Sequence, residues 1–329
     1  MQDPLVTRVF TFSVQQHLFS PGATIVVALS GGPDSVSLFH ILLQRAKELN
    51  LTLIVAHLDH GWRTDSAHDA QFCKDLAEKY SCRFIQAHAR DIFPEKKIIP
   101  SEESGRLLRR TFLQQVAAEY SADAIALGQH KDDQIETFFI RLIRGASLSG
   151  LTGIQPKNAL FIRPLLEISK QEILDYCTQN NLSYCVDSTN TSDLYLRNRI
   201  RHTVIPSLTT IDKRFVSNCE KTIARLQKTE NYIVTQAENA FLRLSSLRDK
   251  TLYLSLPGLA LLDPVLFPYL LIKWIKYEQV QFTPSESLIE EILNFICSSK
   301  RSNSHQVNPN WSFKKLKKEI FIERSRYVI

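Results

Sequence analysis

The sequence predicts an α/β protein: a parallel, doubly wound sheet followed by a mostly helical second domain. Near-continuously apolar runs at 24–29 (TIVVAL), 51–56 (LTLIVA), 83–87 and 124–127 (AIAL) read as strands, and segments of helical period at 36–49 and 101–120 lie between them. Strands that are apolar throughout, separated by helices, suit a parallel sheet covered on both faces. The first two strands are far enough apart for one right-handed crossover helix. After Pro206 the pattern changes. Phe215, Cys219, Ile223 and Leu226 recur at helical spacing, and nothing breaks a helix from Asp212 to about Leu247.

The remaining elements follow from local signals. Ser169-Lys-Gln-Glu172 is a capping box that opens a helix to about Asn180, with a strand expected at 182–186. Thr283-Pro-Ser-Glu286 is a second box, with Pro at the first helical position, for a helix through Phe295. The apolar stretch 259–275 is interrupted by Asp263, Pro264, Pro268 and Lys273, so it reads as a buried, kinked helix and not a membrane span. The weak alternation of WSFKKLKKEIFIERS near the C-terminus reads as a basic strand pair. These assignments place an α/β domain at 1–206 and a mainly helical one at 207–329, with no internal repeat.

Composition bounds the function classes. The chain has 329 residues, 44% hydrophobic and 22% charged, with Gly 10 and Pro 13. That excludes disordered and collagen-like classes. The net charge is +6, and the whole excess lies in the last thirty residues, where eight Lys and Arg stand against two acids. Such a patch is either a solvated tail or a contact for a polyanion. Six scattered cysteines, without a Cys-x-x-Cys pair or a His/Cys cluster in sequence, argue against a zinc ribbon, an iron–sulfur site or a disulfide framework. MQDPLVTRVFTF lacks a basic region followed by an apolar block, so no signal peptide is expected. The expectation is a soluble, cytoplasmic protein without membrane contact.

The sharpest motif is Ser30-Gly31-Gly32-Pro33-Asp34-Ser35, between the first strand and the helix after it. Two glycines allow a sharp turn and close approach to a ligand. Pro33 and Asp34 suit a helix's first turn, whose unpaired N–H groups favour an anion. Ser30 and Ser35 add hydroxyl donors. The loop is neither a Walker loop nor a dinucleotide fingerprint. A plain strand–turn–helix connection is the bland alternative.

Other residues cluster by spacing. Arg106, Arg109 and Arg110 share one helix face. Asp132, Asp133 and Glu136 occupy a helix's first turn just after a strand, a place for ligand sites and equally for ordinary capping acids. His57 and His60 end a strand but point to opposite sides, which favours nucleotide or backbone contacts over a metal pair. His130 is as readily structural as functional.

The loop 30–35 matches the Ser-Gly-Gly-x-Asp-Ser fingerprint of the PP-loop ATP pyrophosphatases, with their adenine-nucleotide α-hydrolase-like fold. More of the chain resembles the tRNA(Ile)-lysidine synthases within that superfamily: His57-Leu-Asp-His60-Gly-Trp-Arg63; Glu102 to Arg110; Gln129-His130-Lys-Asp132-Asp133-Gln134-Ile-Glu136-Thr137 with Arg141 and Arg144; Arg163-Pro164-Leu165; and Asp187-Ser188-Thr-Asn190 with Asp193, Arg197, Asn198, Arg199 and Arg201. Lys131 departs from the pattern, where an apolar residue is commoner. Longer members carry a further C-terminal domain, and this chain is expected to keep only the helical one.

The resemblance implies an ATP-dependent carbon–nitrogen ligase. ATP is cleaved between its α- and β-phosphates as the C2 oxygen of a wobble cytidine, in a CAU-anticodon isoleucine tRNA, is adenylated. Free lysine then displaces AMP to form lysidine. By resemblance, Ser30 to Ser35 and His57 bind ATP, Asp34 holds Mg²⁺, and Arg110 and Arg201 stabilise phosphate charge. Asp133 is the candidate base toward lysine, with Asp132, Glu136 and Asp187 supporting it in the lysine and cytidine site. Arg106, Arg197, Lys314, Lys315, Lys317 and Lys318 are the candidate tRNA contacts. The rivals are a tRNA thiolase of the same superfamily, a nucleotide-dependent tRNA-binding protein without catalysis, and a glutamine- or ammonia-using synthetase, which would normally bring an amidotransferase domain, a channel or a dimer surface. The sequence leaves a homodimer open.

Overall fold

Asp3 opens the first helix, α1 (Pro4–Gln15), by accepting from the Leu5 N–H, with Pro4 in the position where a missing N–H costs nothing. A computed structural model of the chain describes residues 3–61, 66–92, 101–186, 195–280, 284–298 and 303–324. The elements after α1 are β1 (Thr24–Ala28), α2 (Pro33–Ala46), β2 (Thr52–Asp59), α3 (Ser66–Lys79), β3 (Arg83–His88), α4 (Ala89–Ile92) and α5 (Glu102–Glu119). Then come β4 (Ala124–Ala126), α6 (Lys131–Ile143), α7 (Leu148–Leu151), β5 (Lys157–Asn158), β6 (Phe161–Ile162), α8 (Lys170–Gln179) and α9 (Leu196–Arg199). α9 runs through a wide turn at Ile200–Val204 into α10 (Ile205–Ile211). The chain divides into two compact units, Met1–Ile223 and Ala224–Ile329, and α11 (Phe215–Leu244) belongs to both.

The first unit holds a six-stranded sheet in the order β3-β2-β1-β4-β6-β5. All its pairings are parallel except that of β5 with β6. Both faces are covered, as the apolar strands require. Ile25 and Val27 of β1 face a core with Phe10, Phe39, Leu42 and Tyr176, while Val26 faces Leu108, Phe112 and Val116 of α5. Chain order runs from β1 outward through β2 and β3, then returns to β4 on the other side of β1. Ligand crevices in open α/β sheets form at such a reversal, at the strands' C-terminal ends. The segment 182–186, expected as a strand, is irregular. Cys185 instead donates its N–H to the Gly31 carbonyl at 2.9 Å. β5 and β6, at two residues each, are too brief to show a period in the sequence.

The second unit corrects the expectation of a mostly helical domain. Its core is a five-stranded antiparallel sheet in the order β7-β8-β11-β10-β9. The strands are β7 (Ser245–Arg248), β8 (Thr251–Ser255), β9 (Ser304–Asn308), β10 (Trp311–Leu316) and β11 (Glu319–Arg324), with α12 (Leu256–Ala260), α13 (Phe267–Tyr277) and α14 (Glu286–Cys297). The expected strand pair is the β10–β11 hairpin, whose turn is Lys317-Lys318. β8 alternates buried and half-buried residues, a sheet pattern that the adjoining helical signal obscures. Asp249 and Lys250 both take positive φ (47° and 65°), the geometry of a tight hairpin turn, without the glycine that would announce it. The apolar stretch 259–275 spans two helices, α12 and α13, and not one kinked helix. Ser285, not Thr283, caps α14 by accepting from the Leu288 N–H; Thr283 lies outside the described residues. Among the described residues, no helix is long and apolar enough to cross a membrane.

Candidate active site

The loop after β1 turns through Gly31 at φ +87°, a conformation a side chain resists. Ser35 ties it together: its Oγ donates to the Gly32 carbonyl (3.0 Å), accepts from the Ser30 N–H (3.1 Å), and lies 3.1 Å from Ser30 Oγ. Gly32 is the N-cap of α2, with no side chain closing its end. The helix's free N–H groups and partial positive charge therefore face the crevice. Gly128, after β4, backs this loop. A Cβ there would lie 3.0 Å from the Asp34 carbonyl carbon and oxygen and 3.1 Å from the Ser35 nitrogen.

Across the reversal point, α6 brings its first-turn acids to the same crevice. His130 is buried among two of them and Asp34 of α2: its Nε2 lies 3.8 Å from Asp34 and 3.7 Å from Asp133, and its Nδ1 3.5 Å from Asp132. Burial alone would lower its pKa, but the neighbouring Asp132, Asp133 and Asp34 carboxylates outweigh that and raise it. Asp133 accepts from the His130 N–H at 2.9 Å and from Arg197 Nη2 at 2.8 Å. Glu136 is only 1% exposed and takes two arginines, Arg197 Nε at 2.7 Å and Arg201 Nε at 2.5 Å. Arg197 and Arg201 reach it together from α9 and the wide turn that follows; such turns often sit at functional sites. Asp34 is paired with Lys170 Nζ at 2.5 Å, and Asp132 accepts from the Lys170 N–H at 2.8 Å. Four carboxylates thus meet one lysine, two arginines and His130, nearly balanced in charge.

The predicted residues divide accordingly. Asp34, Asp132, Asp133, Glu136 and Arg201 converge. Arg197, expected on a docking surface, lies within the acid cluster. Arg106 is exposed on α5, and Arg110 stacks over Phe161 at 4.9 Å. Both flank buried Arg163, whose pKa is pushed down to about 10 by burial and then by Arg106 and Arg110. The described contacts of Arg163 are neutral: Gln129 Oε1 at 2.6 Å and the Gln155 carbonyl at 2.9 Å. That side of the crevice is therefore electropositive. His57 is buried with its Nδ1 2.8 Å from the Leu29 carbonyl, a backbone contact that supports the strand leading into the loop. His60 Nε2 lies 3.4 Å from Arg109. Lys131, the departure from the family pattern, pairs with Glu220 at 2.9 Å. Asp187, Ser188, Asn190, Asp193, Arg63 and Arg326 lie outside the described residues. Of the C-terminal lysines, Lys314 pairs with Glu323, and Lys315 Nζ donates to the Phe295 and Ser298 carbonyls. Lys317 and Lys318 are exposed at the hairpin turn.

Sequence reasoning missed Lys170 and Gly128. Lys170 carries one usable signal, a cation in a helix's first turn, where the macrodipole disfavours it. Gly128 carries none, since its neighbour is remote in sequence. The structure also gathers a group that the sequence scatters: ligand atoms of His68, Asp69 and Cys185 lie within 4.8 Å of one another beside the loop.

Residues 6–208 match the PP-loop domain family. The tRNA(Ile)-lysidine synthase of Bacillus cereus is 35% identical over 269 residues, covering 78% of this chain and 56% of that protein. The same-named protein of Geobacter sulfurreducens is 37% identical over 73% of this chain and 52% of its own length. The chain thus spans about half the length of these curated relatives. Among solved structures, the U34-tRNA thiolase NcsA from Methanococcus maripaludis with its [4Fe-4S] cluster superposes with a TM-score of 0.57 at 20% identity. That match covers 68% of this chain and 78% of NcsA, and it is a likeness of fold.

Proposed function

Because the chain belongs to the PP-loop domain family, we propose that it is an ATP-dependent tRNA(Ile)-lysidine synthase. In this reading, the C2 oxygen of the wobble cytidine attacks the α-phosphate of ATP. Pyrophosphate leaves, the ε-amine of free lysine attacks C2, and AMP departs. A base in a single-stranded anticodon loop can be splayed into a pocket without opening a duplex.

The observation that carries the reading is the meeting of an anion-binding loop and an acid cluster across one crevice. The free end of α2 with Ser30 and Ser35 suits phosphates. Asp133 and Glu136 suit a cationic amine that must lose a proton before attack. Both acids are engaged by Arg197 and Arg201. Arg201 therefore leaves Glu136 as it turns to the phosphates, and Glu136 becomes available to lysine as that charge is withdrawn. Arg110 serves the phosphates from the electropositive side. Asp34, Asp132 and Asp133 offer the hard oxygen donors that magnesium prefers, so the residues fit this ion, with Asp34 as the principal ligand. When bound, magnesium would supply charge neutralisation at the phosphates.

A thiolase would need reactive thiolates. Burial instead pushes the thiols of Cys73, Cys82 and Cys177 upward, which keeps them protonated.

The test is incubation with unmodified CAU-anticodon isoleucine tRNA, ATP, Mg²⁺ and radiolabelled lysine, followed by nucleoside analysis. Labelled lysidine is expected. Asp34→Ala and Ser35→Ala should abolish its formation while the protein stays folded. Near-normal turnover in Asp34→Ala would sink the assignment.

A further inference from the structure

Lys170 opens α8, where the helix's own partial charge works against a cation. It is nonetheless firmly placed. Its backbone N–H is held by Asp132, and α8 packs on α2, where Tyr176 Oη lies 2.8 Å from His40 Nδ1. The side chains of Lys170 and Asp34 are 36% and 31% exposed, so the pair opens to solvent. Lys170 Nζ and the uncapped N-terminus of α2 thus meet at Asp34, beside the phosphate loop.

The geometry points to Lys170 as a cation that grips the pyrophosphate part of the nucleotide and is held on Asp34 until that nucleotide arrives. The inference rests on the ATP reading above. Asp34 is the acid that the magnesium ion would use, and Lys170 Nζ is paired with it. Phosphate and metal resolve the competition together, since Lys170 passes to phosphate oxygens as Asp34 passes to the divalent ion. Every charge keeps a partner through the exchange, whereas stripping either member of a partly buried pair would be costly.

The test uses equilibrium dialysis of the full chain, with α,β-methylene-ATP, AMP and inorganic pyrophosphate as probes. With Mg²⁺ present, Lys170→Met should weaken α,β-methylene-ATP about tenfold, as removal of one charge-assisted hydrogen bond implies. AMP binding should hold, and Lys170→Arg should restore most of the affinity. In EDTA, Asp34→Asn should bind pyrophosphate more tightly than the wild type, because Lys170 is released, and that gain should vanish in Asp34→Asn/Lys170→Met. A gain that persists in the double variant, or equal weakening of AMP and α,β-methylene-ATP in Lys170→Met, would overturn the role of Lys170. If the wild type bound no α,β-methylene-ATP with Mg²⁺, the ATP reading itself would fail. If the wild type bound it and Lys170→Met bound it equally well, only the present inference would fail.

Discussion

His130 is held by opposing forces, and that gives its charge a defined pH signature. Burial favours the neutral ring, while Asp132, Asp133 and Asp34 favour the imidazolium and prevail. A histidine whose folded pKa is raised contributes stability that is fully present below its ordinary value of 6.5. That stability is lost as pH rises through the folded value. The difference in urea stability between wild type and His130→Gln should therefore shrink as pH rises from below 6.5 to the alkaline side. Glu172 gives the opposite slope. Burial alone would raise its carboxyl, but hydrogen bonds from the Ser169 N–H and hydroxyl and the Arg8 guanidinium hold it at about 2. Its contribution is present above 4.5 and lost as pH falls toward about 2. Glu172→Gln should cost about 1 kcal/mol near neutrality, modest because water screens a pair this exposed, and nothing at the acid end. Denaturant titrations across both ranges check the two signs.

The loops after β1 and β4 press against each other at Gly128, and that packing sets the position of the phosphate loop. An added methyl would meet backbone atoms of Asp34 and Ser35, which cannot swing aside as a flexible side chain would. Gly128→Ala should lose about tenfold or more in nucleotide affinity, because small displacements at a binding loop are expensive. It should lower stability by about 1–3 kcal/mol. Calorimetry beside nucleotide titration separates the two effects. In the second unit, Lys315 satisfies the carbonyls of Phe295 and Ser298 at the end of α14 and lies over the Phe295 ring at 4.4 Å. Lys315→Met should cost about 1–2 kcal/mol, because it removes the hydrogen bonds that close the helix end, and leave the salt dependence of tRNA binding unchanged.

The +6 charge excess spans the C-terminal hairpin, but its lysines do different work. Lys314 and Lys315 are committed within the unit, which leaves Lys317 and Lys318 at the exposed turn as the hairpin's candidates for the proposed tRNA contact. Ion pairing with phosphates releases counterions. Replacing both turn lysines with Gln should therefore flatten the slope of log affinity against log salt by about 0.7–0.9 for each phosphate no longer neutralised. ATP and lysine parameters should stay fixed. An unchanged slope would mark the turn as an edge guard against aggregation.

The amino-acid order alone determined the parallel sheet, the phosphate loop and the long helix after Pro206. Each rests on contiguous residues whose apolar period or backbone freedom acts locally: TIVVAL must be buried, and Gly31-Gly32 must turn. The candidate acids were legible for the same reason, since Asp132, Asp133 and Glu136 share one helical turn. Tertiary structure decided what those acids hold. Glu136 is separated from Arg197 and Arg201, and Asp34 from Lys170, by long stretches of chain, and no local period links them. It also decided the second unit's sheet. There β7 and β8 meet through a glycine-free turn, β8 pairs with the distant β11, and Leu254, Phe313 and Ile320 are buried together in a common core. Propensity and pattern act over one or two turns of chain, whereas charge pairing and sheet registry act across space, after the fold has brought distant residues together.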